Sequence, residues 1–317
     1  MKSEVVAGVD IGGTKIAVAL QNLKKERISY RNIPTRTELD PHDILKNISE
    51  TIETMLEETQ TTLAAIGIGS PGPIDIENGL VVSPTNLPTW RNFPIVDLVK
   101  KRFGVTIAFD NDANAAALGE FYDGAGRGFK DIFYVTISTG IGGAIILNGK
   151  IHHGTSASAG EIGHAVVKYD GIFCRCGTRG CLETIAAGIH IARRAKEKLA
   201  AENASFDGTK IEDITARTVV EAVKKGDRIA LEIWDETVKF LAIGIGNAIT
   251  TIAPQAVILG GGISMSGEVL FEPLQRYLVE NVHMLPIEKV KILAASLGSE
   301  SGVCGALILA QQAIDNF

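Results

Sequence analysis

The chain has 317 residues, of which 45% are hydrophobic and 21% are charged, and its formal net charge is -6. This length and mixture are typical of a globular protein of two domains, and the absence of a basic tract argues against nucleic acid as the main partner. No run reaches the ~18 apolar residues of a membrane helix and no signal peptide is evident, so we expect a cytoplasmic protein without membrane contact.

The first predicted elements are two apolar strands within residues 5–20, which are joined by a tight turn at Gly12-Gly13, where a positive φ is easiest. Asp10 ends the first strand. Helical periodicity predicts helices over residues 41–59 and 95–103, and short apolar runs predict strands over 63–68 and 105–109. The last of these leads through Asp110-Asn111-Asp112 into an alanine-rich helix over 113–121.

Residues 131–147 repeat the pattern of residues 5–20, with an apolar run, the turn Ser138-Thr139-Gly140-Ile141-Gly142-Gly143 and a second apolar run. Such a repeat at long spacing predicts a duplicated α/β domain with a boundary near residue 120. Asn148-Gly149 predicts a hairpin turn. The remaining pattern predicts helices over 185–201, 228–252, 267–282 and 300–313 and strands over 256–259 and 290–294.

The two glycine turns are candidates for phosphate binding, because glycine lets backbone N–H groups approach a ligand. The alternative is a pair of ordinary hairpins. Asp10, Thr14 and Thr139 favour a polyphosphate, since they offer a metal-associated carboxylate and hydroxyl donors. Residues 67–72 fit G-x-G-x-x-G, but Pro73 prevents the helix that a dinucleotide site requires.

Asp110 and Asp112 lie at a predicted strand end that leads into a helix, where a carboxylate is well placed to abstract a proton. The alternative is a helix N-cap. For Asp110 the local sequence favours the cap, and for Asp112 both interpretations stay open. The carboxyl end of a strand in an α/β sheet is where ligands usually bind, which favours function.

Cys174, Cys176 and Cys181 lie within eight residues, and nine residues separate Cys174 from His164 upstream. In a reducing compartment such a cluster is more typical of a metal site than of disulfides. Buried free thiols and a core histidine are the alternative, which suits the lone Cys304 better. Three thiolates and one imidazole predict a four-coordinate structural zinc. The other histidines, including His152 and His153 in a predicted loop, receive no role.

The chain resembles the ROK sugar kinases (repressor, open reading frame, kinase) over nearly its whole length. The resemblance depends on five segments: Asp10-Ile11-Gly12-Gly13-Thr14, Asn111-Asp112-Ala113-Asn114, residues 137–164 with Glu161-Ile162-Gly163-His164, the pattern C-x-C-G-x-x-G-C-x-E at residues 174–183, and Gly260-Gly261-Gly262-Ile263.

The resemblance implies an α/β protein with the actin-like, ribonuclease-H-like ATPase fold: two duplicated domains with sugar and ATP in a central cleft. The smaller domain would comprise residues 1–120 and the C-terminal helix at 300–317, and the larger would comprise residues 121–299 with the zinc loop. A homodimer is also implied.

The resemblance assigns a general-base role to Asp112 and an action on hydrated Mg²⁺ to Asp10. The implied sugar ligands are Gly72, Asn111, Asp112, Glu161, His164 and Glu183, with Asn86 as a weaker candidate. The implied ATP and phosphate ligands are Asp10, Gly12, Gly13, Thr14, Lys15, Thr139, Gly140, Gly261 and Gly262. His164 is thus expected to serve both the zinc and the sugar, one ring nitrogen for each.

The implied activity is ATP-dependent phosphorylation of the 6-hydroxyl of a hexose, with glucose first and N-acetylhexosamine, mannose or fructose as alternatives. ADP or polyphosphate remains open as the donor. A repressor of the same family would carry a DNA-binding segment before the first strand, which here begins by Val5, so we do not expect one. An actin-like structural protein is disfavoured by the zinc loop and the paired carboxylates.

Overall fold

The computed structural model describes residues 2–315, which form two compact units. Within the described residues, the first contains 2–128, 151–159 and 296–315, and the second contains Phe129–Lys150 and Gly160–Ala295. The domains expected from sequence differ from these units at residues 121–128, 151–159 and 296–299, because no change of composition marks the places where the chain passes from one unit to the other.

The strands, in chain order, are β1 Glu4–Ile11, β2 Lys15–Asn22, β3 Arg27–Pro34, β4 Thr62–Ser70, β5 Ile74–Asp75, β6 Leu80–Val81, β7 Thr106–Asn111, β8 Ile132–Ile137, β9 Ile141–Leu147, β10 Lys150–Ile151, β11 Ala256–Gly260 and β12 Lys291–Ala294. The helices are α1 Pro41–Thr59, α2 Ile95–Phe103, α3 Asp112–Tyr122, α4 Glu183–Ala186, α5 Gly188–Ala201, α6 Ala216–Lys224, α7 Arg228–Ile252, α8 Glu268–Asn281 and α9 Ser301–Asp315.

The first unit is built on a five-stranded sheet in the order β3-β2-β1-β4-β7. β1 pairs antiparallel with β2 and parallel with β4, which pairs parallel with β7. Alternation along β1 divides its buried side chains between two faces: Val5, Ala7 and Val9 join the larger core, whereas Val6 packs with Val303 of α9. The sheet is therefore covered on both faces, as parallel pairing requires.

The second unit has a sheet in the order β10-β9-β8-β11-β12, with β8 antiparallel to β9 and parallel to β11. β11 also pairs parallel with β12. This is the strand order of the first sheet, so the predicted duplication is confirmed. Its core joins one face of α7 to side chains of β8, β11, α5, α6 and α8.

Most predicted elements are confirmed, and α1, α2 and α7 have the predicted bounds. The helix predicted over 185–201 is wrong as one element, because Ala187 is extended and separates α4 from α5. The positive φ expected at Gly12 and Gly13 is also wrong, since neither glycine has a positive φ. Strand β3 and helix α6 were not predicted. Among the described helices, none has the length and apolar character needed to cross a membrane.

Helix α9 packs closely on α3 and β4 through glycines. A Cβ atom on Gly305 would overlap the carbonyl oxygen of Ala115, and one on Gly67 would overlap that of Ala306. Buried Glu120 in α3 also accepts hydrogen bonds from Leu297 N at 2.9 Å and Ser301 Oγ at 2.7 Å. The close packing against α9 and the hydrogen bonds of Glu120 therefore fix the position of α3, the helix that begins at Asp112.

Candidate active site

Two predicted site carboxylates lie at one edge of the first sheet, where β1, β4 and β7 end. Asp10 in β1 is in register with Gly69 in β4, which is in register with Asp110 in β7, and Asp112 follows directly. A Cβ atom on Gly69 would lie 3.7 Å from Asp112 Cα and 3.8 Å from Asp10 Oδ1. The glycine therefore leaves room for the carboxylates of Asp10 and Asp112 to approach each other.

Asp10 has an unusual electrostatic environment. Its pKa is raised to about 7, mainly by burial and then by the negative charge of Asp112, while Lys15 opposes the shift. A Cβ atom on Gly302 of α9 would fall 2.5 Å from Asp10 Cγ, so the carboxylate is also sterically enclosed. A desolvated carboxylate beside a second one is a suitable partner for a cation, which would favour its charged form.

The start of α3 holds the predicted catalytic segment. Asn111 is the N-cap, since its Oδ1 accepts a hydrogen bond from Ala113 N at 2.8 Å, and Asp112 Oδ1 accepts from the same N–H at 2.8 Å. The N-cap role expected for Asp110 is therefore wrong. Asp112 occupies the first helical position, where the helix dipole favours negative charge.

The predicted sugar ligands Gly72 and Asn86 also lie in the first unit. A Cβ atom on Gly72 would lie 3.1 Å from Asn111 Nδ2, so its backbone is beside the N-cap side chain. Asn86 instead lies against the first glycine turn, with its Cβ 3.0 Å from the position of a Cβ on Gly13. Gly72 is thus adjacent to the catalytic segment, and Asn86 to the predicted phosphate turn.

The first glycine turn, followed by Thr14 and Lys15, is fixed by Thr35, a buried residue that the sequence analysis missed. Gly12 N donates to Lys15 O at 3.0 Å, Thr35 Oγ1 donates to Gly12 O at 2.6 Å, and Thr35 N donates to Thr14 O at 3.1 Å. No local pattern indicated this role, since strand β3, which ends directly before Thr35, was itself not predicted. The turn is therefore held rigidly at both of its ends.

The second unit groups three of the predicted sugar ligands. Glu183 Oε2 accepts a hydrogen bond from Ile141 N at 3.0 Å, next to Thr139 and Gly140 of the second glycine turn. Burial raises the pKa of Glu161, the positive charge of His164 lowers it, and the negative charge of Glu183 raises it. Carboxylates and an imidazole at such close range offer the acceptors and donors that vicinal hydroxyl groups need.

The predicted adenosine-side loop follows β11. Gly261 has a φ of 82° and lies against the carbonyl of Ile137, which accepts a hydrogen bond from Ile263 N at 3.0 Å. No heavy atom lies within 4 Å of a Cβ position on Gly262. The loop thus contacts the end of β8, just before the second glycine turn. The space on the Cβ side of Gly262 is unoccupied by protein atoms.

The four predicted zinc ligands, His164, Cys174, Cys176 and Cys181, come together. Their ligand atoms all lie within 4.8 Å of one another. Cys176 Sγ is 3.6 Å from Cys181 Sγ, close to the ~3.8 Å edge of a tetrahedral zinc–thiolate site. Cys174 Sγ is 3.6 Å from His164 Nδ1, so Nδ1 is the ring nitrogen that belongs to the cluster.

The thiols of this cluster differ in acidity. The backbone N–H of Thr178 and other hydrogen bonds lower the pKa of Cys176 to about 6, whereas burial raises the pKa of Cys181 to about 12. A thiolate at Cys176 is thus available at neutral pH to begin metal binding. The number, type and spacing of the donors fit a structural zinc.

The structure therefore places the predicted residues in two groups, one in each unit. Asp10, the first glycine turn, Gly72, Asn86, Asn111 and Asp112 belong to the first, and the remaining candidates belong to the second. The sequence analysis missed His153, whose Nε2 is 2.8 Å from Asp110 Oδ2. Histidine alone in a loop gave no signal of that partner.

Comparisons with known proteins identify the family of the chain. The model of the ROK family matches residues 6–313. Glucokinase from Thermotoga maritima is 36% identical over 310 residues, which are 97% of each chain. N-acetyl-D-glucosamine kinase from Mannheimia succiniciproducens is 31% identical over 95% of this chain and 98% of its own.

The chain also resembles a solved structure of this family. The crystal structure of a ROK family glucokinase from Streptomyces griseus, in complex with glucose and AMPPNP, has a TM-score of 0.81 and 34% sequence identity. The match covers 97% of this chain and 99% of that chain. The chain therefore belongs to the ROK family and has the actin-like ATPase fold of its sugar kinases.

Proposed function

We propose that the protein is an ATP-dependent hexose kinase that phosphorylates the 6-hydroxyl of glucose. The observation that supports this most strongly is the pair Asp10 and Asp112 at the ends of β1 and β7, the two strands that flank β4, beside a glycine turn fixed by hydrogen bonds. It combines a base, a cation ligand and phosphate-binding amides at one sheet edge. The similarity to glucokinases over nearly the whole chain favours glucose as the acceptor.

Asp112 acts as the general base in this mechanism. Its carboxylate accepts the proton of the 6-hydroxyl while that oxygen attacks the γ-phosphorus of ATP. The bond between the γ-phosphorus and the bridging oxygen breaks, and ADP leaves. Hydrogen bonds from Ala113 N to both Asn111 and Asp112 keep the base in a defined position before substrate binds.

The two glycine turns bind the phosphates through their backbone N–H groups, with Thr14, Lys15 and Thr139 as additional donors. Asp10 would hold hydrated Mg²⁺, which supplies stabilisation of the charge that develops on the phosphoryl oxygens. The loop of Gly261 and Gly262 binds the nucleoside side, since Gly262, whose Cβ position has no neighbour within 4 Å, leaves space for a flat ligand. AMPPNP in the related crystal structure supports ATP as the donor.

The sugar is selected by Asn111, Glu161, His164 and Glu183, with backbone groups of Gly72 and the side chain of Asn86. Each carboxylate can accept hydrogen bonds from a vicinal hydroxyl pair. His164 would hold zinc through Nδ1, together with the three cysteines, and would then present Nε2 to the sugar. The zinc would be structural, since it would fix the loop that carries a sugar ligand and would take no part in phosphoryl transfer.

N-acetylglucosamine is the second candidate acceptor, because the N-acetyl-D-glucosamine kinase relative is 31% identical over nearly the same length.

We also propose a homodimer in the cytoplasm, where the three clustered thiols stay reduced and available to a metal.

The proposal is tested by a coupled assay of ADP formation with glucose, N-acetylglucosamine, mannose and fructose. We expect glucose to have the highest kcat/KM and ³¹P NMR to identify glucose 6-phosphate as the product. A kcat/KM for N-acetylglucosamine that is about tenfold higher than for glucose would contradict the proposed acceptor. Failure with every sugar would contradict the kinase assignment itself.

A further inference from the structure

The ion pair between His153 and Asp110 lies next to the proposed catalytic base but is not part of the mechanism above. His153 Nε2 is 2.8 Å from Asp110 Oδ2. The Asp110 side chain is 4% exposed, whereas that of His153 is 42% exposed. The imidazole is therefore the more exposed partner of a carboxylate that is almost wholly removed from water.

Asp110 uses its other oxygen to organise the start of α3. Asp110 Oδ1 accepts hydrogen bonds from Asn111 N at 2.7 Å and from Asn114 Nδ2 at 2.7 Å. Asn111 in turn caps α3, and Asp112 is its first residue. A change in the position of the Asp110 carboxylate therefore changes the backbone from which Asn111 and Asp112 project.

His153 belongs to the segment Ile151–Ala159, which the chain enters from β10 and leaves directly before Gly160 and Glu161. This segment is strained, because Ser156 and Ala157 have φ values of 54° and 55°, which residues with a side chain rarely adopt. Such a conformation persists only where the surroundings enforce it. His153 O accepts from Ala159 N at 3.0 Å, so the same residue closes the segment and holds it to Asp110.

We infer that His153 is a positioning residue for catalysis, which acts through Asp110 to hold the Asn111-Asp112 segment in its productive position. The inference rests on the proposed kinase function. The hydrogen bond to Asp110 raises the pKa of His153, burial opposes the shift, and the negative charge of Asp110 adds to it. Asp10 and Asp112 are the other carboxylates at this edge of the sheet, so a positive charge on His153 also offsets their combined negative charge.

The experiment compares His153→Ala, His153→Gln and the control His152→Gln, which changes the exposed neighbouring histidine. We expect His153→Ala to lower kcat/KM for the sugar roughly tenfold or more, with the KM for ATP changed less than about twofold. His153→Gln keeps an N–H donor for Asp110 and should therefore retain most of the kcat/KM that is lost in His153→Ala. His152→Gln should match the wild type.

The pH profile separates positioning from mere structural support. In the wild type kcat/KM for the sugar should fall as pH rises through the raised pKa of His153, whereas His153→Gln should lose this alkaline decline. An unchanged decline in His153→Gln contradicts the inference. So does a His153→Ala variant that has a lower Tm but wild-type kcat and KM.

A measurement that does not require turnover keeps this inference separate from the proposed function. NMR titration of the imidazole nitrogens should give His153 a lower pKa in Asp110→Asn than in the wild type, because the variant lacks the carboxylate that raises it. Equal pKa values of His153 in the two proteins contradict the ion pair and therefore the inference. A wild type that phosphorylates no sugar yet keeps the raised pKa of His153 contradicts the kinase proposal instead.

Discussion

Replacing Asp10 by Asn should stabilise the protein at neutral and alkaline pH, although it removes a group that the mechanism needs. The folded protein holds the Asp10 pKa at about 7, against an ordinary value of 3.8, mainly because the side chain is buried. Between these pH values the folded chain binds more protons than the unfolded chain. The free energy of unfolding therefore falls as pH rises across this interval.

The pKa difference of Asp10 between the folded and unfolded chain sets how much stability the wild type loses as pH rises. Raising the pKa from 3.8 to about 7 corresponds to on the order of 4 kcal/mol above pH 7, and to nothing below about pH 4. The amide that replaces the carboxyl group in the variant does not titrate and does not incur this cost. For a chain of this length that unfolds as one cooperative unit, the variant should have a Tm roughly 6 °C above the wild type at about pH 8.

The assay is scanning calorimetry of both proteins from about pH 4 to about pH 8, without Mg²⁺ or nucleotide. The difference in Tm between variant and wild type should grow as pH rises. Asp170→Asn serves as the control, because Asp170 is exposed. Its plot of Tm against pH should run parallel to that of the wild type. If the Tm of Asp10→Asn also runs parallel to that of the wild type, folding does not raise the pKa of Asp10 and the electrostatic reasoning is refuted.

Two further predictions concern the metal and the packing of α9. Elemental analysis should find one zinc per chain, with loss of the metal in Cys176→Ser, and a fully active metal-free preparation would contradict the structural zinc. Gly305→Ala should lower stability by about 1–3 kcal/mol or prevent folding, because its Cβ would overlap the carbonyl oxygen of Ala115. Gly262→Ala, which meets no atom within 4 Å, should leave the midpoint of urea unfolding unchanged, and equal midpoints for both variants would refute the packing argument.

Local patterns were sufficient for much of the fold. The bounds of α1 follow from its helical periodicity. The repeat of strand, glycine turn and strand predicted a duplicated α/β domain, which the equal strand order of the two sheets confirms. The break at Ala187 was missed because alanine favours helix, and Gly188, the local breaker signal beside it, does not by itself specify an extended residue.

The candidate site was predictable where a motif carries its own chemistry, as with the zinc ligands. It was not predictable where a partner is distant in the chain. Asp110 was interpreted as a cap because capping is local, whereas its ion pair joins residues that are 43 positions apart. Thr35 holds the first glycine turn through contacts that form only once β3 pairs with β2.

The central claim is that Asp112 is the general base of a sugar kinase, and the most direct test is the turnover of Asp112→Asn with saturating glucose and ATP. Asparagine keeps the shape of the side chain and cannot accept the proton. We predict a fall in kcat of at least ~100-fold with glucose binding retained in calorimetry, whereas Asp123→Asn, at the other end of α3, should keep wild-type activity. Turnover of Asp112→Asn at the wild-type rate would contradict the claim.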